Sequence, residues 1–491
     1  SKIQSILQQT GSDKVDVVAH SLGGLIVKKY VMDNQTDNHI GKAVFVGVPN
    51  TGSPKAIKVL LQGDNFNISF GSFGLSESEI KKISENMPAA YDLLPSQQYY
   101  NQKGSFIEVV NVQSPYTINS EKDLSYDESK SFLTTDHSLN FLAMTGAENL
   151  HTLDFDNFDL RTVGVDVYAI DGCKTGTLGK IIYRKYNDIF GVEFSYDSRF
   201  TPGDGTVPLE SATNLPIDQS NKYYALVSDH GKMPSQDGIR QEIVNLVSGS
   251  ALNVGNNLIT QDINQCQLNG KAISVFSPVN IFVTDQNGNR LGLTDDGSVI
   301  NEIPNADFEV LGEHKFLYLP QDNGQVYNIN LQGTDSGTFT LKTQDINNSQ
   351  AGGTEVFSNL PVTAALTGQV NLSGGATTLS LNNSPEPILP SAILDALTSE
   401  DLMPPVSVVT LNGTAGQTGF YRSGVSVNIK AVDDLSGVLD VEYNLDNAGY
   451  QKISGDTTTL TVSSEGKHTL TFFSTDKAGK NEREQSITFT I

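Results

Sequence analysis

Apolar residues in the first half of the chain come in short continuous runs: Val15–Ala19 (VDVVA), Lys42–Val48 (KAVFVGV), Val163–Ile170 (VGVDVYAI) and Tyr223–Val227 (YYALV). Such β-branched runs predict strands covered on both faces, as in a parallel sheet. Between them the spacing turns helical. Ile3, Ile6 and Leu7 recur at i, i+3 and i+4 ahead of Gly11, and Gly23–Asp33 and Asp237–Val247 have the same period. The order is β-α-β, a long insert from Asn50 to about Thr162, then β and β-α, which predicts an α/β domain over residues 1–250. The insert carries helical stretches at Leu75–Ile83 and Ser138–Met144 and the apolar segment FNISFGSFGL (66–75). Its length suits a cap or lid over a site.

Beyond about Ser250 helical periodicity nearly vanishes, and short alternating strands appear between turn pairs rich in Gly, Asn, Thr and Ser. Residues 251–383 read as a β-sandwich and 405–491 as a second, immunoglobulin-like one. Between them, Ser384–Pro405 reads as a proline-flanked linker (384–404) carrying one short helix. The expected fold class is multidomain: an α/β domain, a parallel sheet with helices and a lid insert, followed by two all-β sandwich domains.

Composition narrows the function. The 491 residues include 32 Lys+Arg against 56 Asp+Glu, a net charge of −24, with no basic run. That argues against nucleic acid or an anionic membrane surface as an electrostatic partner. The 37% of hydrophobic residues excludes global disorder. Cys173 and Cys266 lie far apart and lack metal-ligand spacing, so neither a disulfide scaffold nor a zinc ribbon is expected. No apolar run approaches the ~18 residues of a membrane span.

The chemistry-bearing segment is VDVVA-HSLGG-LIVKKYV, where Ser21 follows a strand and opens a helix. Small residues two before and two after the serine, Ala19 and Gly23, suit a sharp turn that pushes its hydroxyl outward. The Leu22 N–H then faces the place where an oxyanion would form. A serine needs a base held by an acid. Among the histidines, His230 alone sits directly after an apolar strand and before a terminal helix, whereas His20 precedes the serine and is expected to point elsewhere. Two aspartates compete for the acid. Asp204 lies in the Gly/Pro-punctuated loop TPGDGTVPLESA after a hairpin, and Asp171 ends a strand; Asp204 is preferred, and Asp229 reads as a surface residue. DQNGNR (Asp285–Arg290), DDGS (Asp295–Ser298), Asp433–Asp434 and Asp476 read as turn chemistry, with a structural calcium ion at domain junctions as the alternative.

AHSLGG, VGVPNTGSPKA (Val46–Ala56), ENMPAAYDLLPSQQYY (Glu85–Tyr100), GDGTVPLESA (Gly203–Ala212) and SDHGKM (Ser228–Met233) occur in an order that resembles the lecithin:cholesterol acyltransferase-like lipases of the α/β-hydrolase fold. The resemblance covers roughly Ser1 to Ser250. It implies Ser21 as nucleophile, Asp204 as acid, His230 as base, and no metal or organic cofactor in the chemistry. It also implies a lipid or other carboxylic ester as substrate and an acyl-enzyme resolved by water, or by an alcohol in an acyltransferase. The tail resembles immunoglobulin-like repeats of bacterial surface and secreted proteins. That implies a secreted or cell-surface monomer whose β domains meet a surface or polysaccharide partner; a non-catalytic adhesin is the rival reading. In the family, earlier strands and a second oxyanion donor precede the nucleophile. A chain starting at Ser1 is therefore expected to hydrolyse esters poorly.

Overall fold

The computed structural model describes residues 2–64, 77–113, 117–188, 191–250, 258–294, 297–321, 324–372, 376–382, 384, 386–394, 404–416, 420–433, 437–477, 479, 481–482 and 484–491. Helix α1 (Lys2–Thr10) ends at Gly11, and strand β1 (Val15–His20) follows; α2 (Leu22–Asp33) returns the chain to β2 (Ile40–Val46), and α3 (Lys55–Gln62) opens the insert. Inside the insert stand β3 (Ile107–Gln113) and β4 (Thr117–Asp123). Then come β5 (Asp166–Gly172), a hairpin of β6 (Thr175–Asp188) and β7 (Gly191–Gly203), β8 (Lys222–Ala225), the helix Ile239–Ser248, and β9 (Ile259–Thr260).

The central sheet has the order β1-β2-β5-β8-β9. Its first four strands run parallel and β9 is antiparallel to β8. Continuous apolarity has the expected cause. Ala43, Val44, Phe45 and Val46 of β2 are all buried. Phe45 packs with Leu25, Val31 and Val167 on one face, while Val44 and Val46 pack with Tyr223, Ile239 and Leu246 on the other. Two boundaries differ from the sequence reading. The run from Val163 yields a strand only at Asp166, because Asp159 caps a 3-10 turn at Leu160–Val163 that Gly164 closes in the left-handed region. The sheet also takes its fifth strand, β9, from beyond Ser250, so the expected domain edge at residue 250 is crossed by hydrogen bonds.

The insert holds more than helices. A second sheet, order β4-β3-β6-β7, joins it to the hairpin through parallel pairing of β3 with β6 (Ile107 opposite Ile181). Its core unites Tyr91, Phe106 and Leu133 of the insert with Leu178 of the hairpin and with Leu311 and Phe316 from further along the chain. FNISFGSFGL (66–75) lies outside the described residues.

From Gly270 to Leu394 the strands form two six-stranded sheets of antiparallel pairs. Alternate side chains of both, among them Ile273, Ile281, Ile329 and Leu341, share one apolar cluster. Ala392–Leu394, expected in a linker carrying one short helix, is instead an edge strand paired with Thr354–Val356; residues 395–403 of that expected linker lie outside the described residues. From Val406 to Thr490 a three-stranded and a four-stranded sheet surround Val427, Ile429, Val441 and Phe472. The two cysteines, read from sequence as unrelated, are joined: Cys173 and Cys266 form a disulfide, buried beside Leu209 and Tyr224. Sequence distance misleads here because β5 and the residues after β9 meet only through the central sheet.

The bridge closes a sequence separation of 93 residues, for which chain entropy allows about 4–5 kcal/mol at most. Denatured, unreduced protein is expected to release no thiol to a colorimetric thiol reagent, and reduction or Cys266→Ala to lower the melting temperature. Two reactive thiols in the unreduced chain would be the contrary result.

Candidate active site

Parallel strands end on one edge, and in open α/β sheets that edge is where side chains from different loops converge. Ser21 stands between β1 and α2 with φ 54 and ψ −136, a left-handed conformation that costs a serine of order 1–3 kcal/mol. Its N–H donates to the Val46 carbonyl (3.1 Å), which ties the turn to the end of β2. One expectation about this turn is corrected. A Cβ placed on Gly23 meets nothing within 4 Å, whereas one on Gly24 would lie 2.3 Å from Val48 Cγ2. Gly24, not Gly23, is therefore the position that lets α2 lie close to the sheet.

Asp204 follows β7, and His230 follows β8 at the start of a 3-10 turn. His230 Nδ1 lies 2.7 Å from Asp204 Oδ2 and Nε2 lies 2.8 Å from Ser21 Oγ. The Asp204 side chain is buried; its other oxygen accepts from the N–H groups of Thr206 (3.0 Å) and Val207 (2.7 Å). The backbones of Asp204 and His230 are joined as well, since His230 N–H donates to the Asp204 carbonyl (3.0 Å). A carboxylate held this way orients an imidazole with its Nδ1–H toward the acid and its Nε2 lone pair toward the hydroxyl. Leu22 is the first residue of α2, so its N–H belongs to the helix-end donors that no intrahelical carbonyl can satisfy.

Space for this row comes from glycines. Gly47, at φ +55 after β2, would with a Cβ meet Asp204 Oδ2 and Met233 Sδ at 2.9 Å and His230 Nδ1 at 3.4 Å; a Cβ on Gly172 would meet Asp204 Cβ at 2.4 Å. Sequence reasoning missed both, although each ends an apolar run, and it misplaced His20. That ring lies 4.8 Å from the His230 ring, with Nε2 2.8 Å from the His230 carbonyl, so it braces the base's backbone. Burial, followed by the neighbouring His230, holds the His20 imidazole below its ordinary value. The adjacency of His20 to Ser21 was the available signal.

Asp171 stands close by but outside the row. It is buried, its Oδ2 has no hydrogen-bond partner among the described residues, and burial pushes its carboxyl up to about 7, with Lys222 opposing and Asp204 adding to the rise. Asp229 caps the 3-10 turn and pairs with Lys232. Elsewhere, Asp285 accepts from Asn287 N, Asn289 N and Asn289 Nδ2, as turn chemistry requires. Among the described residues no three His, Cys, Asp or Glu side chains are grouped to hold a metal ion. None of the described helices is long and apolar enough to cross a membrane.

Residues 1–162 match the family model of lecithin:cholesterol acyltransferase. The curated phospholipase A(1) LCAT3 of Arabidopsis thaliana is 23% identical over 236 residues, covering 43% of this chain and 53% of its own length. The chain thus spans about half the length of that relative. Among solved structures, the Bacillus licheniformis lipase BlEst2 in its propeptide form is 13% identical, with 99% of this chain and 81% of that one covered at a TM-score of 0.28. The Tle4–Tli4 complex is 16% identical, covering 43% and 53%, at a TM-score of 0.27. Residues 1–162 form a lecithin:cholesterol acyltransferase-like segment, as their motifs implied; Asp204 and His230 lie beyond it.

Two outcomes follow from the local geometry. Gly23→Ala is expected to leave the melting temperature unchanged or raise it, by up to about 1 kcal/mol of helix propensity, whereas Gly24→Ala overpacks Val48 and costs roughly 1–3 kcal/mol. The second concerns Asp171, whose folded-state pKa is raised. The folded chain binds a proton that the unfolded chain releases near pH ~4, so this contribution to stability is complete below that value and is lost as pH rises through about 7. Melting curves from about pH 5 to about pH 8 should fall more steeply for the wild type than for Asp171→Asn.

Proposed function

We propose that this chain is the catalytic part of a lipid-ester hydrolase or acyltransferase working through Ser21, His230 and Asp204. The observation that carries this reading is the imidazole of His230 standing between the Ser21 hydroxyl at 2.8 Å and the Asp204 carboxylate at 2.7 Å. In the proposed cycle the Ser21 oxygen attacks the acyl carbonyl while its proton passes to His230 Nε2. Asp204 stabilises the imidazolium without taking a proton. Negative charge gathers on the former carbonyl oxygen, toward which the Leu22 N–H is aimed. The tetrahedral intermediate collapses, the departing alcohol takes the proton from His230, and an acyl-serine remains. Water, activated by the same imidazole, releases the acid; an alcohol in that place gives acyl transfer. The family match favours keeping both outcomes. These steps use protein groups alone.

A lipid acyl ester fits a family segment that a phospholipase A(1) shares. We further read the strands from Gly270 to Leu394 and from Val406 to Thr490 as two β-sandwich domains, the second immunoglobulin-like, available to a surface or polysaccharide partner. The Cys173–Cys266 bridge supports a secreted or surface-exposed protein, because disulfides persist in oxidising compartments.

The test is labelling by a fluorophosphonate probe and hydrolysis of a p-nitrophenyl ester by the natural full-length protein. Single labelling at Ser21, lost in Ser21→Ala, is expected. Asp204→Asn should lower kcat about 10⁴-fold, while Asp171→Asn keeps most of it. A Ser21→Ala protein that still turns over ester would end the proposal, and products formed with an added alcohol acceptor separate hydrolysis from transfer.

A further inference from the structure

The row Ser21–His230–Asp204 is not enclosed by its own α/β unit alone. The strand Asp307–Leu311 and the turn before it, from the six-stranded region, lie against the backs of the two loops that carry acid and base. Asn305 sits in that turn at φ +64. Its carbonyl accepts from Gly176 N–H (3.2 Å) and its Nδ2 donates to the Leu226 carbonyl (2.8 Å), four residues before His230. Beside it, Thr175 Oγ1 donates to the Ser228 carbonyl at 2.7 Å, and Thr175 pairs with Gly203 and Asp204.

The stronger feature is ionic. The Glu309 side chain is 0% exposed and lies between two lysines of α3, with Oε1 2.8 Å from Lys55 Nζ and Oε2 2.5 Å from Lys58 Nζ. The two lysines are not equivalent. Lys58 Nζ turns to Asp64 (2.7 Å), whereas Lys55 Nζ donates to the carbonyl of Gly205, the residue after Asp204, at 3.0 Å. Burial alone would strip the charge from Lys55, but Glu309, with Asp307 and Asp64, outweighs it and holds the lysine charged. A charged donor therefore grips the acid loop from behind, and the anion that keeps it charged and aimed comes from the other side of the expected domain boundary.

We infer that Glu309, acting through Lys55, is a positioning residue for Asp204, so that the six-stranded β region is a working part of the catalytic unit. The inference rests on the proposed reading of Asp204 as the acid. Asp204 must hold Oδ2 on His230 Nδ1 while Oδ1 keeps its two backbone N–H groups, and both depend on where the Gly205 peptide lies. Without Glu309, Lys58 keeps Asp64 but Lys55 loses the carboxylate that aims it, leaves the Gly205 carbonyl, and the Asp204 carboxylate drifts from the ring.

The test compares Lys55→Met, Lys58→Met and the double variant Lys55→Met with Glu309→Gln in the natural full-length protein, assayed on a p-nitrophenyl ester with melting curves alongside. Each single variant removes one partner of Glu309, but only Lys55 touches the acid loop. Lys55→Met is expected to lower kcat about 10–100-fold, the penalty of a misplacement near 1 Å, with KM changed less than about twofold and Lys58→Met much milder. An imidazole losing its carboxylate holds a proton less well, so the acid limb of the kcat/KM profile should move to lower pH in Lys55→Met. The double variant removes a buried cation and anion together, so it should melt close to the wild type while kcat stays low. That outcome keeps the test decisive even where Lys55→Met alone fails to fold. Equal effects of Lys55→Met and Lys58→Met, or a double variant with wild-type kcat and acid limb, would overturn the inference. Failure of the underlying reading looks different: Asp204→Asn would then turn over normally, whatever Lys55 does.

Discussion

A hydroxyl, an imidazole and a carboxylate can share two hydrogen bonds only if the three backbones carrying them come within one side chain of each other. In this chain that closeness is set by positions without side chains. Gly47 follows β2 and Gly172 ends the neighbouring β5, and a single carbon on either would crowd the Asp204 carboxylate or its Cβ. Gly24 makes the same provision for α2 against Val48. Everything chemical at the site presupposes these approaches, because the loops are anchored to one another by backbone hydrogen bonds: Ser21 N–H on Val46, Gly47 N–H on Ile170, and His230 N–H on Asp204.

The serine's left-handed backbone fits this arrangement. A strained residue persists only where its surroundings over-determine it, and here the turn is held by β1, by the start of α2 and by the end of β2. The electrostatic side follows the same logic. An imidazole that takes a proton needs a fixed negative partner and no competing cation. In the proposed cycle Asp204 is the first, and the burial that holds the His20 imidazole below its ordinary value favours the second while its ring braces the His230 carbonyl.

Local features of the site were legible in the sequence, and non-local ones were not. The strand–turn–helix around Ser21 is written in about fifteen consecutive residues, so period and turn chemistry suffice. The neighbours that Gly24 and Gly23 meet are not, and the close contact proved to belong to Gly24, one residue later than the motif suggested. The second sheet escaped for the same reason. β3 pairs with β6 across more than seventy positions, and β3 alone looks like any apolar run inside a lid. The Cys173–Cys266 bridge and the crossing of residue 250 by β9 share this cause, since both follow from a fold that returns to the central sheet after leaving it. The edge strand Ala392–Leu394 was hidden by flanking prolines, which mark a chain break equally well before an edge strand or a linker.

These non-local returns change how the β-rich region is to be regarded. A tethered module would meet the α/β unit through a small polar contact. Here Leu311 and Phe316 sit in the core of the insert, Tyr318 fills the space left by Gly176, and four buried ionisable side chains, Lys55, Lys58, Asp307 and Glu309, lie at the contact. Apolar surface explains why such an interface holds. It does not explain the ions, because a buried ion pair is often matched or exceeded in stability by well-packed apolar residues. What ions and their hydrogen bonds supply that apolar contacts lack is direction. Lys55 reaches Glu309 and the Gly205 carbonyl together, which an apolar replacement could not do. The charges at this contact are therefore best understood through where they hold the backbone next to Asp204, and only secondarily through the strength with which they hold two units together.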